Sequence, residues 1–162
     1  MSKILTKYLI FDWGDTVMRD FALEGPMWKW DKVDWIPGVE NALIKLCKNY
    51  TCVIATSADH SDTDDMKKAL KRVGADKYFT HFFSQKELGF KKPDVRFFKS
   101  VAEKINEKPE NCTMIGNHYV KDIIGAKDAG MKTIFFNEEK LERGFPKADV
   151  VIHRMDDIEK YL

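Results

Sequence analysis

Short apolar runs alternate with stretches of helical periodicity along the chain, and this alternation constrains the fold more than any other feature. The runs with the length of a strand are residues 8–11, 51–55, 78–83, 112–115, 132–136 and 150–152. Apolar residues recur at helical spacing in residues 37–47, 61–73, 93–105, 120–130 and 155–162. Apolar strands without polar alternation are typical of a sheet that is covered on both faces. The sequence therefore predicts an α/β fold, a three-layer, doubly wound sheet of parallel strands with right-handed crossovers.

Local signals predict where the helices begin and end. Pro37 is expected to open the first helix, where its missing N–H costs nothing. Ser61 with Asp64 resembles a capping pattern for the second helix, which Gly74 would end. Pro93 is expected to begin the helix that follows the third strand.

The size and charge of the chain limit the number of domains and the kinds of partner that it can have. The 162 residues fit one domain, which buries roughly two thirds of its unfolded surface. Lysine and arginine total 27 against 26 acidic residues, and the formal charge of +1 gives no field that would favour nucleic acid or an anionic membrane. No apolar segment is long enough to span a bilayer. We expect a single domain over residues 1–162, with no nucleic-acid or membrane partner.

The cysteines predict a reducing compartment. Cys47, Cys52 and Cys112 lie within apolar stretches, and they show neither CxxC spacing nor histidine partners at zinc-site spacing. We interpret them as reduced core thiols of a cytoplasmic protein.

Residues 17–36 form an irregular stretch after the first strand and carry Trp28, Trp30 and Trp35 among charged residues. The stretch is too short to be a domain. Its aromatic side chains either form a short flap over a crevice or pack against the body of the protein, and packing is favoured because large aromatic residues are usually buried. Whether the stretch is a substrate rim or a subunit contact stays open.

Polar residues stand where three strands are expected to end. Asp12 follows the first run, Thr56 and Ser57 follow the second, and Asn117 follows the fourth. In open α/β sheets, ligands bind at the carboxyl ends of the strands, which share one edge of the sheet. With Lys92 and Asp122, which fall in segments adjoining the predicted strand ends, these residues supply the groups that phosphoryl transfer needs. They are a carboxylate to attack phosphorus, a hydroxyl and an ammonium to hold its oxygens, and oxygen ligands for a divalent cation.

Each residue also has a plainer interpretation. Asp12 can be a turn or helix-capping aspartate, and Thr56 can cap the following helix. Lys92 can be a solvated surface charge, with Lys91 as the competing candidate for the functional lysine, and Asp122 can be an exposed helix aspartate. Two histidines, His60 and His118, lie close enough in sequence to touch a substrate, although a lone loop histidine is more often solvated.

The order of these motifs resembles the haloacid dehalogenase superfamily of phosphohydrolases over about residues 8–137. Residues 11–16, Phe-Asp-Trp-Gly-Asp-Thr, resemble its first motif, and the resemblance implies that Asp12 is a nucleophile that becomes an aspartyl-phosphate. Thr56 matches the hydroxyl of the second motif, and Lys92, in the run 89–94, matches the lysine of the third. The run 116–122, Gly-Asn-His-Tyr-Val-Lys-Asp, resembles the metal-binding fourth motif.

The resemblance also implies roles for a cofactor and a substrate. Mg²⁺ would be held by Asp12, the Gly14 carbonyl, Asn117 and Asp122. The substrate would be held by the residues that offer donors to phosphate, namely Thr56, Ser57 and Lys92. It would be a phosphorylated small molecule or an exposed phosphate on a macromolecule. Neither gap in the motif order has room for a cap domain, so the site is expected to be open, and capless members of the family act on large substrates or close the site as homo-oligomers.

Two departures from the family pattern bear on activity. Gly14 stands where most phosphatases of the family have an aspartate that protonates the leaving oxygen and activates water, and a positioned acid or base contributes about 10²- to 10⁴-fold in rate. Asp15 replaces it only if the loop turns differently. Asn117 stands where an aspartate is usual and removes one negative charge from the metal site. If no carboxylate replaces the missing acid, hydrolysis should favour aryl or acyl phosphates over alkyl phosphates.

The leading hypothesis is therefore a magnesium-dependent phosphohydrolase that acts through Asp12 with weak acid/base support. A degenerate domain that binds phosphate or a protein partner without turnover is the alternative, and both Gly14 and Asn117 favour it. A receiver domain of two-component signalling has a similar sheet, but it generally carries its phosphate on a later strand, so the position of Asp12 disfavours this class.

Overall fold

The computed structural model describes residues 2–162 and confirms the predicted α/β class. Six strands form one parallel sheet in the order β3-β2-β1-β4-β5-β6. The strands are β1 Tyr8–Phe11, β2 Thr51–Thr56, β3 His81–Ser84, β4 Cys112–Gly116, β5 Lys132–Phe136 and β6 Val150–Ile152. The chain adds β2 and β3 on one side of β1 and β4, β5 and β6 on the other, so the sheet is doubly wound and its switch point lies between β1 and β4.

The helices are short and differ in type. The α-helices are α1 Val39–Leu46, α2 Thr63–Val73, α3 Gln85–Leu88, α4 Val95–Lys104 and α5 Gly125–Asp128. A π-helical turn, Tyr119–Ile124, leads directly into α5, and 3-10 turns cover Met27–Lys29, Asp76–Tyr78, Pro109–Asn111 and Met155–Lys160. No helix among residues 2–162 combines the length and the apolar character that a membrane span requires.

Two apolar clusters lie on opposite faces of the sheet, as three layers require. Leu9 and Phe11 of β1 pack with α1, α2 and the last 3-10 turn. Ile10, which points to the other face, packs with α4 and α5. Alternate residues of one strand thus reach both cores, which explains why the strands read as continuous apolar runs in the sequence.

Three predicted helix starts were wrong by one or two residues. The first helix begins at Val39, because Gly38 adopts a left-handed φ of +83° and separates Pro37 from it. The cap of α2 is Asp62, not Ser61: its carboxylate accepts from the Asp65 N–H, and the Asp65 side chain reciprocates. The predicted capping pair, Ser61 with Asp64, is thus replaced by the pair one residue later, Asp62 with Asp65. Pro93 was likewise expected to begin a helix, but α4 begins two residues later, at Val95, and Asp94 caps it by accepting the Arg96 N–H at 2.8 Å.

The third strand and the final helix also differ from the prediction. Tyr78 lies in a 3-10 turn, and β3 begins only at His81, so the apolar run 78–83 spans two elements. The expected C-terminal helix is a 3-10 helix, Met155–Lys160, that buries Met155 and Ile158. An apolar run of this length does not distinguish a strand from a turn that packs its aromatic side chain inward.

Residues 17–36 pack against the body of the protein. Trp30 is buried, and Trp28 and Trp35 are half-buried against the same apolar cluster. Trp28 Nε1 donates to Asp65 of α2 at 2.8 Å, which ties the stretch to that helix. Packing, the favoured interpretation of these aromatic residues, is therefore what the structure contains.

Candidate active site

The carboxyl ends of β1, β2 and β4 bring three separate parts of the chain to one edge. Phe11 is paired with Ile54 of β2 and with Ile115 of β4, and the Asp12 N–H donates to the Ile115 carbonyl at 2.9 Å. Asp12 therefore lies beside the ends of both neighbouring strands. A cavity of about 450 Å³ opens at this edge and is lined by all the predicted site residues: Asp12, Gly14, Thr56, Ser57, Lys92, Asn117 and Asp122.

Lys92 bridges the two carboxylates of the site. Its Nζ lies 2.8 Å from Asp12 Oδ1 and 2.8 Å from Asp122 Oδ1, and the residue is 3% exposed. Desolvation pulls the pKa of Lys92 downward, but the carboxylates of Asp12 and Asp122 outweigh it and raise this pKa above its ordinary value. Lys92 is therefore a fixed positive charge in the cavity wall and not a solvated surface lysine, whereas Lys91 is exposed.

Asp122 is buried, in contrast to the plainer interpretation of it as an exposed helix residue. It is 1% exposed and accepts the His118 N–H at 3.0 Å through Oδ2. Burial raises the pKa of Asp122 to about 6, with a smaller contribution from the charge of Asp12. Asp122 lies in the π-helical turn Tyr119–Ile124, where the winding is wider than in a regular α-helix, and it is buried there together with Ile123.

Polar atoms of Gly14, Thr16 and Asn117 converge beside Asp12. One end of the Asn117 side-chain amide lies 3.1 Å from Asp12 Oδ2, 3.1 Å from Thr16 Oγ1 and 3.3 Å from the Gly14 carbonyl oxygen. With its nitrogen at that end, the amide donates to all three atoms. With its oxygen there, the group becomes a set of hard oxygen ligands of the kind that Mg²⁺ prefers. The residues present therefore fit a divalent cation.

The charge of this candidate metal site is low. Among residues 2–162, no group of three or more histidine, cysteine, aspartate or glutamate side chains is placed to hold a metal ion. Asp12 and Asp122 are the two carboxylates of the site, and an amide and a main-chain carbonyl supply the other oxygens. Thr16, which is fully buried, was missed by the sequence reasoning, and its position four residues after Asp12 in the first motif was the only signal for it.

Thr56 presents a hydroxyl to the cavity. Its Oγ1 accepts from the Ala58 N–H at 3.1 Å, and no hydrogen bond donated by this hydroxyl is found in the described part of the chain. The capping interpretation of Thr56 was wrong, because α2 begins seven residues later and is capped by Asp62. Ser57, the next residue, lines the same cavity and is half-buried.

The loop after Asp12 engages the Asp15 carboxylate through one of its oxygens. Asp15 adopts a left-handed φ of +55°, and its Oδ1 accepts from Arg19 Nη1 at 3.3 Å and from the Asp20 N–H at 3.1 Å. Arg19 is held in turn by both carboxylate oxygens of Glu138 at 2.8 Å. Partial burial raises the pKa of Asp15.

The outer wall of the cavity comes from two histidine-bearing loops and from the stretch after β1. His60 and His118 are exposed at the rim, and desolvation, assisted by the charge of Lys121, lowers the pKa of His118. Met27 and Trp30 form part of the opposite wall, whereas Trp28 and Trp35 do not line the cavity. Residues 17–36 thus contribute a side to the cavity besides packing on α2.

The fold and the cavity define a class of protein: a doubly wound α/β domain with a carboxylate, lysine and carboxylate centre at the switch point of the sheet. A sequence profile for haloacid dehalogenase-like hydrolases matches residues 11–136, and the chain belongs to this family. The predicted resemblance is thereby confirmed.

Curated relatives and solved structures agree with the family. The chain is 36% identical over 106 residues to a glyceraldehyde 3-phosphate phosphatase of Pyrococcus furiosus, covering 65% of this chain and 43% of that protein. It is 38% identical over 73 residues to the protein of the same name from Methanothermobacter thermautotrophicus, covering 45% and 32%. The chain thus spans less than half the length of these relatives.

Structural likeness extends over almost the whole chain. A HAD phosphatase from Thermococcus onnurineus superposes with a TM-score of 0.79 at 18% identity, covering 96% of this chain and 97% of that one. A putative HAD-hydrolase from Bacillus subtilis, solved bound to magnesium, gives the same TM-score at 17% identity, with 96% and 97% covered. At this identity the likeness supports the fold alone.

Proposed function

We propose that the protein is a magnesium-dependent phosphohydrolase in which Asp12 is the nucleophile. The observation that carries the proposal is the bridge of Lys92, whose Nζ lies 2.8 Å from both Asp12 and Asp122. It fixes one oxygen of Asp12 in a cavity that also presents the Thr56 hydroxyl. A carboxylate held in this way is oriented for attack on a phosphorus atom bound in front of it.

In the first step, an Asp12 carboxylate oxygen attacks phosphorus and the bond to the leaving oxygen breaks, which forms an aspartyl-phosphate. Lys92 and the hydroxyls of Thr56 and Ser57 hold the non-bridging oxygens, where negative charge increases in the transition state. In the second step, water attacks the same phosphorus, the bond to Asp12 breaks, and inorganic phosphate leaves.

A bound Mg²⁺ would be held by Asp12, the Gly14 carbonyl, Asn117 and Asp122. It supplies positive charge that offsets the repulsion between a carboxylate nucleophile and an anionic phosphate. Thr16 orients two of these ligands, since its hydroxyl lies 3.4 Å from Asp12 Oδ2 and 3.1 Å from the Asn117 amide.

A phosphorylated small molecule is the substrate class that we favour. A cavity of about 450 Å³ is in the range of small-molecule sites, and relatives of the chain are named glyceraldehyde 3-phosphate phosphatases. An exposed phosphate on a macromolecule is the second candidate substrate. We further propose that the chain acts in the cytoplasm as a single domain with residues 17–36 as a flap-like wall, and that a homo-oligomer is compatible with this arrangement.

A domain that binds phosphate without turnover is the competing function. It is favoured by Gly14, which carries no acid or base, and by Asn117, which lowers the negative charge around the cation. Such a domain would bind inorganic phosphate and release none from an ester.

Release of phosphate from p-nitrophenyl phosphate, with Mg²⁺ and with EDTA, tests the proposal. We expect turnover that requires Mg²⁺ and that falls by at least about 10³-fold in Asp12→Asn, because the nucleophile is removed. Asp31→Asn is the matched control, since Asp31 is exposed and does not line the cavity. Turnover that survives in Asp12→Asn, or none in the wild type, would contradict the proposal.

A further inference from the structure

Gly14 has no side chain and leaves a space in the cavity wall, and Asp20 lies beside that space. A Cβ built on Gly14 would lie 3.6 Å from Asp20 Cβ and 3.8 Å from Asp20 Oδ2. Asp20 therefore places a carboxylate next to the position from which a side chain at residue 14 would extend. In the sequence the two residues are six apart, within a stretch that has no regular periodicity.

A local turn fixes the orientation of Asp20. Its main-chain N–H donates to Asp15 Oδ1 at 3.1 Å, and its Oδ1 accepts the Ala22 N–H at 2.8 Å. Within residues 2–162, no hydrogen bond to Oδ2 is found. The turn thus uses one carboxylate oxygen and leaves the other available on the side of Gly14.

Asp20 belongs to the same cavity as the proposed nucleophile. It lines the cavity together with Asp12, Gly14 and Lys92, and it is exposed, so a leaving group has access to it. Asp15 also borders the cavity, but its carboxylate is engaged by Arg19, whose guanidinium is held by Glu138. Of the two aspartates, Asp20 is the one that lies within 4 Å of a Cβ built on Gly14 and that has no arginine partner.

We infer that Asp20 is the general acid and base of this site, in place of the aspartate that Gly14 lacks. The inference rests on the proposed phosphohydrolase function. As Asp12 attacks phosphorus, the leaving oxygen takes the electron pair of its bond to phosphorus and a proton from the Asp20 carboxyl group. In the second step the Asp20 carboxylate takes a proton from the attacking water, and phosphate and the Asp12 carboxylate are released.

The inference changes the expected substrate preference. The preference for aryl over alkyl phosphates applies only if no carboxylate replaces the missing acid. With Asp20 in this role, the wild-type protein also hydrolyses alkyl phosphates, whose leaving oxygens need a proton.

The test compares two esters in the full chain with Mg²⁺. Asp20→Asn retains an oxygen for the Ala22 N–H and loses the negative charge and the ability to transfer a proton. We expect its kcat/KM for glycerol phosphate to fall by about 10²-fold or more, and for p-nitrophenyl phosphate by less than about tenfold, because nitrophenolate leaves without a proton. Asp31→Asn, at an exposed residue outside the cavity, is the control and should change both kcat/KM values by less than about twofold.

Two further measurements address the base role and the position. With p-nitrophenyl phosphate, Asp20→Asn should give a burst of about one equivalent of nitrophenol, because hydrolysis of the aspartyl-phosphate becomes slow. Adding Gly14→Asp to Asp20→Asn should restore glycerol phosphate turnover by at least about tenfold, since the new carboxylate enters the same space.

The outcomes separate this inference from the function on which it rests. If the wild type hydrolyses p-nitrophenyl phosphate through Asp12, but Asp20→Asn leaves both esters unchanged or lowers them equally without a burst, Asp20 is not the acid and base. If neither ester is hydrolysed by the wild type, the phosphohydrolase function itself fails, and this inference fails with it.

Discussion

The carboxylate of Asp122 occupies the space that a side chain on Gly116 would fill. A Cβ built on Gly116 would overlap with Asp122 Oδ2 and Cγ, and it would lie only 2.6 Å from Asp122 Cβ. The last residue of β4 therefore has to be glycine for Asp122 to reach Lys92, which connects the end of a strand with the charge arrangement of the site.

Gly116→Ala should displace Asp122 and weaken the binding of Mg²⁺ by at least about tenfold, with a loss of about 1–3 kcal/mol in the free energy of unfolding from the overpacking. Calorimetric titration with Mg²⁺ and urea unfolding measure the two effects. Gly144→Ala is the control, since nothing lies within 4 Å of a Cβ at that position. Unchanged Mg²⁺ affinity in Gly116→Ala would show that Asp122 does not take part in binding.

Lys92→Met tests the charge bridge in the metal-free protein. Removing the ammonium leaves the carboxylates of Asp12 and Asp122 facing each other in a buried site, and we expect a loss of about 3–5 kcal/mol in the free energy of unfolding. Urea unfolding with EDTA measures it. Lys91→Met, at an exposed neighbouring lysine, should stay within about 0.5 kcal/mol. A similar small change in Lys92→Met would mean that the bridge is not a significant part of the stability.

Mg²⁺ should stabilise the folded protein, because it binds the native oxygen cluster and not the unfolded chain. At a Mg²⁺ concentration of 100 Kd, we expect the free energy of unfolding to increase by about 2.7 kcal/mol, seen as a rise in Tm that an equal ionic strength of NaCl does not produce.

Asn117→Asp should tighten Mg²⁺ binding by about tenfold or more, because it adds a third negative charge to the site. Equal affinity in the variant and the wild type would place Asn117 outside the metal site.

Thr56→Val removes a hydroxyl from the cavity and retains the shape of the side chain. If this hydroxyl holds a phosphate oxygen in the transition state, kcat should fall by about 10²- to 10³-fold. Thr56→Ser retains the hydroxyl and should recover most of the rate. Steady-state kinetics with p-nitrophenyl phosphate gives both values, and a loss confined to KM would instead assign Thr56 to ground-state binding.

The raised pKa of Asp122 predicts a pH dependence of stability in the absence of metal. The carboxyl group of Asp122 has a pKa of 3.8 in the unfolded chain and a pKa of about 6 in the folded protein. Its protonation therefore adds to the free energy of unfolding in full below pH 3.8, and this stabilisation is lost as the pH rises through 6. In Asp122→Asn this dependence is absent. The stability of the variant relative to wild type should therefore increase by ~2 kcal/mol between pH 4.5 and pH 7.

Urea midpoints at these two pH values in EDTA measure this difference. Addition of Mg²⁺ should reverse it, because the cation favours the ionised carboxylate that the variant lacks. Parallel stability profiles for the two proteins would contradict the assignment of the shift to Asp122.

Much of the site could be predicted because its residues follow strands. Asp12 and Thr56 stand at the ends of apolar runs that pair in parallel, and parallel pairing alone brings such ends to one edge. Lys92 is different. Its burial depends on Pro93 and α4 packing against α5, where Gly125 has room for no Cβ beside the Pro93 carbonyl and the Phe98 ring.

Other features were out of reach of sequence patterns because they depend on loop conformation. The left-handed φ of Asp15, the approach of Asp20 to Gly14 and the inward turn of Asp122 each depend on a few backbone angles in segments without periodicity. The same limit explains the one-residue error at the cap of α2, where Ser61 and Asp62 offer equivalent oxygens.

By itself, the sequence determined the order of the strands and helices along the chain, the class of fold and the residues available for chemistry, because hydrophobic periodicity and side-chain type are local properties. Only the tertiary structure decided which of those residues meet, which of two lysines is buried between carboxylates, and which aspartate borders the gap at Gly14. Those outcomes depend on distances between segments far apart in the chain, and packing of the whole sheet and its helices sets them.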